Sequence, residues 1–286
     1  MMKYQILGID IDGTLVHENA RISQQSLDAI RAAQDAGTCV VPCTGRAWHE
    51  SRHVLECVSG LAKGVFITGA TVTEVATGRC VDSVRFEPEL AMSLVRLLSD
   101  EPEAVLVHQE PNGAGYDYLV TGRGELTENS RWWFESTGAS VRHLSEVVLN
   151  DLRHTLRVGV VASGRRMPGL VRRIKHVFQR RVEVHAFAAV QQPDPDDSVH
   201  ILEIFAEGVD KWRGLAWIAA ERNVEHGRIA TIGDEINDLS MVRHAGCGVA
   251  MGNAIEPLKL AADHVTENSS EDGAALAIRH MLEGLW

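Results

Sequence analysis

Residues 4–15 read Tyr-Gln-Ile-Leu-Gly-Ile-Asp-Ile-Asp-Gly-Thr-Leu, and this stretch decides the fold. Ile6 to Ile11 is apolar except for Gly8 and Asp10. Tyr4 to Ile11 reads as a strand buried on both faces, as in parallel sheets. A carboxylate at the C-terminal end of such a strand sits where open α/β sheets bind ligands. If the strand continues, its period of two points Asp10 and Asp12 the same way. Two like charges so close repel, and a divalent cation is the simplest compensation. Gly13 lets the chain leave the strand by an unusual turn. A solvated strand-end turn would account for the same residues at this point.

Outward from that strand, the pattern alternates. Ser23 can cap a helix with Leu27 and Ile30 on its apolar face, and Gly37 can end it. Thr38 to Cys43 reads as a strand, Arg46 to Val58 as a helix and Val65 to Ile67 as a third strand. This βαβαβ order predicts a parallel sheet with helices on both faces. The alternation resumes near the C-terminus. Asp210 can cap a helix to about Ala220, Arg228 to Ile232 is a strand, Ile236 to His244 a helix and Cys247 to Ala250 a strand. Between these stretches the character changes. Leu90, Leu94, Leu97 and Leu98 mark a helix, and strands follow at Ala104 to His108, Tyr116 to Thr121, His154 to Val161, Val182 to Ala188 and Val199 to Phe205. The chain therefore reads as an α/β protein, a doubly wound parallel sheet core at 1–82 and 207–286 with an α+β unit inserted at 83–206.

Composition excludes several classes. The chain has 286 residues, 45% hydrophobic and 23% charged, which is ordinary for folded domains and too long for one. A net charge of −11 argues against a nucleic-acid partner. The apolar run near the N-terminus is too short for a signal peptide or a membrane span. Five cysteines without a Cys-x-x-Cys pair read as reduced thiols, and a cytoplasmic location is expected.

Three further motifs follow strand ends or open helices. Gly233-Asp234-Glu235-Ile236-Asn237-Asp238 would bring Asp234 and Asp238 near Asp10, and such a carboxylate cluster calls for Mg²⁺ or a similar hard cation. Thr44-Gly45-Arg46 puts a hydroxyl and backbone N–H groups at a predicted helix N-terminus, a ready anion site, although an ordinary capping Thr fits equally. Lys211 opens a helix against its macrodipole and so needs an anionic partner.

In this order, Asp-x-Asp-Gly-Thr, Thr-Gly-Arg, Lys and Gly-Asp-x-x-Asn-Asp, the chain resembles the haloacid dehalogenase superfamily of aspartate-nucleophile phosphotransferases. The position of the insert, and Gly246 to Ala254, resemble its Cof-type subfamily, whose Rossmann-like core carries a large α/β cap. The resemblance implies a Mg²⁺-dependent phosphatase. Asp10 would be the nucleophile, and Asp12 would protonate the leaving oxygen and then deprotonate water. Thr44 and Lys211 would hold the phosphoryl group. Asp10, the Asp12 backbone carbonyl, Asp234 and Asp238 would serve the metal, with Gly45, Arg46 and Asn237 toward phosphate or substrate. The expected partner is a small phosphorylated metabolite, sugar phosphates first, then pyridoxal phosphate or flavin mononucleotide. Cap closure with hinges near Ser83 and Gly208 would select it. A phosphomutase and a non-catalytic binder are the alternatives, and a monomer or small homo-oligomer is expected. The chain departs from the subfamily at Thr68, where Asn is usual before Gly69-Ala70, so altered substrate positioning is expected.

Other features read as structural. His49 and His53 share a helix face without a zinc motif. Trp132, Trp133 and Phe134 are expected to anchor a helix of the insert. Arg157 lies on its strand opposite Leu156 and Val158, where it or Thr155 could read a leaving group.

Overall fold

The computed structural model describes residues 3–16, 21–190 and 192–286. The first segment runs β1 (Ile6–Ile9), α1 (Gln24–Asp35), β2 (Cys39–Pro42), α2 (Trp48–Leu55), β3 (Lys63–Phe66), β4 (Thr71–Glu74) and β5 (Cys80–Ser83). The insert runs α3 (Pro88–Ser99), β6 (Val105–Gln109), α4 (Pro111–Ala114), β7 (Tyr118–Thr121), α5 (Glu128–Thr137), β8 (Val141–His143), β9 (Thr155–Ser163), α6 (Met167–Phe178), β10 (Val182–Val190) and β11 (Val199–Ala206). The return runs α7 (Lys211–Glu221), β12 (Ile229–Gly233), α8 (Leu239–His244), β13 (Cys247–Ala250), α9 (Glu256–Lys259), β14 (His264–Val265) and α10 (Gly273–Leu282).

The described residues divide into two compact units, Met1–Asp82 with Asp210–Trp286, and Ser83–Val209. The second boundary falls three residues after the expected 207. After β11 the Gly208 N–H reaches the Glu183 carboxylate, and Val209 is buried with its N–H on the Ala206 carbonyl. These contacts tie 207–209 to the insert.

The core of the first unit is a parallel sheet in the order β14-β13-β12-β1-β2. All four residues of β1 are buried, as a strand between two parallel neighbours requires. β1 pairs with β2 on one side and β12 on the other, so chain order reverses there. The crevice at the C-terminal ends of β1 and β12 is the ligand position of such sheets. Ser23 caps α1 by accepting the Ser26 N–H at 3.1 Å.

The expected third parallel strand lies beside the end of β2 and also opens a second, small sheet. β3 pairs antiparallel with β4 in the small sheet β3-β4-β5, and among the described residues a parallel Cys43–Val65 bridge joins it to the end of β2. The reason is local: Ile67, Thr68 and Gly69 all have positive φ and turn the chain straight back into β4. The predicted helix from Arg46 also starts later, at Trp48. That from Ile236 opens with a 3₁₀ turn, Ile236–Asp238, before α8.

The insert is a six-stranded sheet, β10-β11-β9-β6-β7-β8, antiparallel except for β7 with β8. Leu94 and Leu98 of α3 and Ile174 and Phe178 of α6 share one core with Val107, Val158 and Ile204 of one sheet face. α5 packs Phe134 with Tyr118 and Val120, whose side chains stand on the opposite face. Contrary to expectation, Trp132 of that helix is 65% exposed, and Phe134 alone of the aromatic run is buried. The Pro111–Gly115 stretch is one helical turn, capped by the Glu110 carboxylate, which accepts the Asn112 and Gly113 N–H groups.

All five cysteines are free; Cys43 and Cys247 are buried and Cys57 is exposed. Among the described residues no helix is long and apolar enough to cross a membrane.

α7 carries Lys211 in its first turn and is capped by Asp210, which accepts the Arg213 N–H at 2.7 Å. Asp210→Ala removes that cap and should cost about 1 kcal/mol, or about 2–4 °C in Tm. A thermal melt checks this, and an unchanged Tm would show that the cap does not hold the helix end.

Candidate active site

Asp10 follows β1 directly and is buried, its N–H bonded to the Ile232 carbonyl at 3.0 Å. Lys211, fully buried, donates from Nζ to Asp10 Oδ1 and Asp238 Oδ1, each at 2.6 Å. Asp238 Oδ2 accepts the N–H groups of Asp234 and Glu235, each at 3.0 Å. Asp238 thus ties Lys211 to the loop that carries Asp234. Asp234 accepts the Thr14 hydroxyl at 3.3 Å and the Asn253 amide at 3.4 Å. A Cβ on Gly13 would lie 2.2 Å from Asp234 Oδ2, so only glycine lets the two loops meet. Asp10, Asp234 and Asp238 each offer a carboxylate oxygen within 4.8 Å of the others.

Burial sets the electrostatics. It raises Asp10 well above the usual carboxylate range, with Asp238 and Asp234 adding to the rise and Lys211 opposing it. Burial, then the neighbouring Asp238, push Asp234 up to about 7. Burial works against the charge on Lys211, but Asp10 and Asp238 more than offset it and hold the ammonium ion protonated. One cation among three carboxylates leaves negative charge in excess. A hard, all-oxygen donor set of this kind fits Mg²⁺.

Two expected placements are corrected. β1 stops at Ile9, so the period-two relation between Asp10 and Asp12 does not apply. The Asp12 side chain is 49% exposed and paired with Arg46, whose Nε donates to Asp12 Oδ2 at 2.7 Å and whose Nη2 bonds Oδ1. It stands outside the three-carboxylate cluster. Nor do Thr44, Gly45 and Arg46 form a helix N-terminus. Ala47 is the cap of α2, and the Glu50 carboxylate accepts its N–H at 2.7 Å. The Glu50 carboxylate thus satisfies the cap N–H of α2, at Ala47, while Thr44 and Gly45 lie in the loop before it. Thr44 is buried in the preceding loop and accepts the Arg46 N–H at 3.1 Å.

That loop meets two others at Gly45. Asn237 Nδ2 and Thr68 Oγ1 both lie 3.5 Å from where a Gly45 Cβ would stand. Thr68 Oγ1 and Asn237 Oδ1 are buried without a hydrogen-bond partner among the described residues. Thr68 has φ +57° and Ile67 φ +51°, a left-handed conformation that β-branched residues rarely hold. The turn they make brings Gly69 so close to α7 that a Cβ there would meet the Asp210 carbonyl oxygen at 1.8 Å. Backbone strain thus buttresses the start of the helix that carries Lys211.

The sequence motifs leave Thr14 and Asn253 without an individual role. Asn253 donates to the Gly13 carbonyl at 2.9 Å and accepts the Ser269 N–H at 2.8 Å, which fixes the loop around Asp234. Its signal is only that it follows β13 at the same end of the sheet. His49 lies 4.0 Å from Glu50, and His53 is exposed; they join no metal-binding group among the described residues.

The family model for haloacid dehalogenase-like hydrolases matches residues 7–278. The 5-amino-6-(5-phospho-D-ribitylamino)uracil phosphatase YitU of Bacillus subtilis is 29% identical over 274 residues, 96% of each chain. The phosphoglycolate phosphatase of Methanothermobacter thermautotrophicus is 26% identical over 277 residues, 96% of this chain and 98% of its own. Among solved structures, a sugar phosphatase of haloacid dehalogenase subclass IIB superposes with a TM-score of 0.76 at 21% identity, covering 96% of this chain and 98% of its own.

The strain at Thr68 is measurable. Thr68→Asn, a residue that tolerates positive φ, should raise Tm by about 2–4 °C as about 1 kcal/mol of strain is relieved. A lower Tm would show that the native Thr contacts outweigh the strain. The sign of the pH dependence follows from Asp234, which ionises at about 7 in the folded chain against 3.8 ordinarily. The stability this adds is complete below about pH 4 and is lost as the pH rises through about 7. A cation needs the ionised form, so Mg²⁺ added to EDTA-treated protein should raise Tm clearly near pH 8 and little near pH 5. Equal shifts at both would remove Asp234 from the ligand set.

Proposed function

The chain belongs to the haloacid dehalogenase-like hydrolase family and is a phosphatase, and from that premise we propose that it hydrolyses small phosphorylated metabolites through an aspartyl-phosphate on Asp10. The observation that carries this reading is the buried Lys211 bridging Asp10 and Asp238, with Asp234 beside them.

Asp10 Oδ1 is held by Lys211, which leaves Oδ2 to attack phosphorus. The O–P bond to Asp10 forms as the ester P–O bond breaks, and Asp12 gives its proton to the leaving oxygen. Asp12 then takes a proton from water as the water oxygen attacks phosphorus. The Asp10–phosphorus bond breaks, and inorganic phosphate and the original carboxylate are restored. To reach the leaving oxygen, the Asp12 carboxylate has to turn from Arg46, and its exposure gives it room. Lys211 and the Thr44 hydroxyl would steady the phosphoryl oxygens, where preorganised charge lowers the barrier most. Gly45, Arg46 and Asn237 line the approach, and the unpartnered Asn237 and Thr68 oxygens offer acceptors for substrate hydroxyls.

Asp10, Asp234, Asp238 and the Asp12 carbonyl would hold Mg²⁺. Such an ion supplies charge neutralisation, so that a phosphate dianion can approach a carboxylate. Sugar phosphates are the leading substrates, followed by pyridoxal phosphate and flavin mononucleotide. The named activities of the relatives, on a ribityl phosphate and on phosphoglycolate, support a small phosphate monoester. The free cysteines accord with a cytoplasmic setting.

Phosphate release from a panel of these esters, with Mg²⁺ and with EDTA, tests the reading. Asp10→Asn should lower kcat by about 10³-fold or more, and EDTA should abolish turnover. Near-wild-type release by Asp10→Asn would rule out the aspartyl-phosphate.

A further inference from the structure

The chain passes between its two units twice, and each passage is anchored at both ends by contacts that stay within one unit. On the first passage β5 ends at Ser83, and Arg85 is already held in the insert. Arg85 Nη2 donates to Glu110 at 3.3 Å, and Nη1 lies 3.2 Å from His154 Nδ1. The next N–H, of Phe86, reaches the Thr155 carbonyl at 2.9 Å. On the second passage Val209 is buried with its N–H on Ala206, and Asp210 is already the cap of α7. Among the described residues, the stretches without such an anchor are Val84 on one passage and the Val209–Asp210 peptide on the other.

One residue of the first unit meets both passages. Arg213 lies in the first turn of α7, where a cation opposes the helix macrodipole and so needs an anionic partner. That partner is Asp82, the last residue before the insert, with which Arg213 forms an ion pair. The two side chains are 26% and 20% exposed, so water screens the pair only in part. Arg213 Nη1 also donates to the Gly69 carbonyl at 3.5 Å, and the Arg213 N–H donates to the Asp210 carboxylate at 2.7 Å. A rigid guanidinium fork fixes direction as well as distance, which a flexible ammonium stem does less well. The exit at Asp82, the return at Asp210 and the strained turn ending at Gly69 are thus fastened to one helical turn.

We propose that Arg213 is a positioning residue that pins the hinge of the insert: it locks the point where the chain leaves the first unit to the point where it returns. Rotation of the insert is then confined to Val84 and the Val209–Asp210 peptide. Without the pin, the end of β5 and the start of α7 move independently, and fewer molecules hold the arrangement that a large substrate selects. The apparent affinity for that substrate falls in proportion to the competent fraction. A phosphate compound with a minimal leaving group makes no demand on the insert and is indifferent to the pin. The consequence for turnover rests on the phosphatase reading; the pin itself does not.

Two variants of the full chain test this from opposite ends of the pair. Arg213→Met keeps the stem and loses the charge, and Asp82→Asn lies outside α7 and keeps the test open if the first variant lowers Tm. Amide hydrogen exchange should become about tenfold faster over residues 80–84 in both variants. With Mg²⁺ present, KM for the sugar phosphate that the wild-type chain hydrolyses fastest should rise about fivefold or more at nearly unchanged kcat. Both constants for acetyl phosphate should stay as in the wild type, and Arg213→Lys, which keeps the charge, should restore most of the lost affinity. Unchanged exchange in both variants overturns the pin, whatever the activity. Faster exchange with equal losses on the two substrates also overturns it, because Arg213 would then only steady α7 and Lys211. If the wild-type chain turns over neither substrate, the phosphatase reading fails and exchange alone decides the pin.

Discussion

The first unit is organised around one buried ammonium group. Lys211 has no contact with water and bonds two carboxylates, Asp10 after β1 and Asp238 after β12. Removing either partner would leave an uncompensated buried charge, one of the costliest defects a protein can carry. Lys211 therefore fixes how the β1 and β12 loops meet at the point where chain order reverses. Its own position depends on the Asp210 cap and on the close approach of Gly69 to the start of α7. The strained Ile67–Thr68 turn persists because the surrounding structure holds it there.

The same interaction sets the charge balance of the crevice. A single lysine cannot neutralise three carboxylates in a buried crevice, and burial first, then the neighbouring Asp238, lift Asp234 to about 7. An all-oxygen cluster of this kind is the donor set that suits a hard cation. Asp12 contributes to that balance only as a lesser charge, after Asp238 and Asp234, that raises Asp10. It is held by Arg46 in a half-exposed position, open to solvent.

Much of this was legible in the sequence, and for local reasons. An apolar run ending in Asp10 gives both strand and site, because parallel strands bind ligands at that end. Gly233 to Asp238 repeats the signal, and Lys211 in a first helical turn announces an anionic partner. What escaped the reading depends on where regular structure stops. The direction of Asp12 could not follow from periodicity once β1 ended at Ile9. The start of α2 slid to Trp48 because Glu50, a buried residue with no motif around it, caps the chain at Ala47. β3 turns straight back into an antiparallel β4 because two β-branched residues after it adopt positive φ, which local preference opposes. Asn253 acts across 240 residues on Gly13, a relation no local pattern encodes.

The parallel register of β1 with β12, Ile6 opposite Ile229, has a consequence for synthesis. The ribosome releases β1 first and its partner strand more than two hundred residues later. At roughly 5–20 residues per second, the apolar edge of β1 and the Asp10 carboxylate wait on the order of ten seconds or more for the strand and the lysine that complete them. During that interval the insert can fold as a unit of its own, while the first segment exposes an unpaired strand edge of the kind chaperones bind. A chain that stops before Lys211 therefore lacks both the strand and the ammonium group that Asp10 is held against. The hydrolase comes into being only when its last eighty residues return to close the sheet.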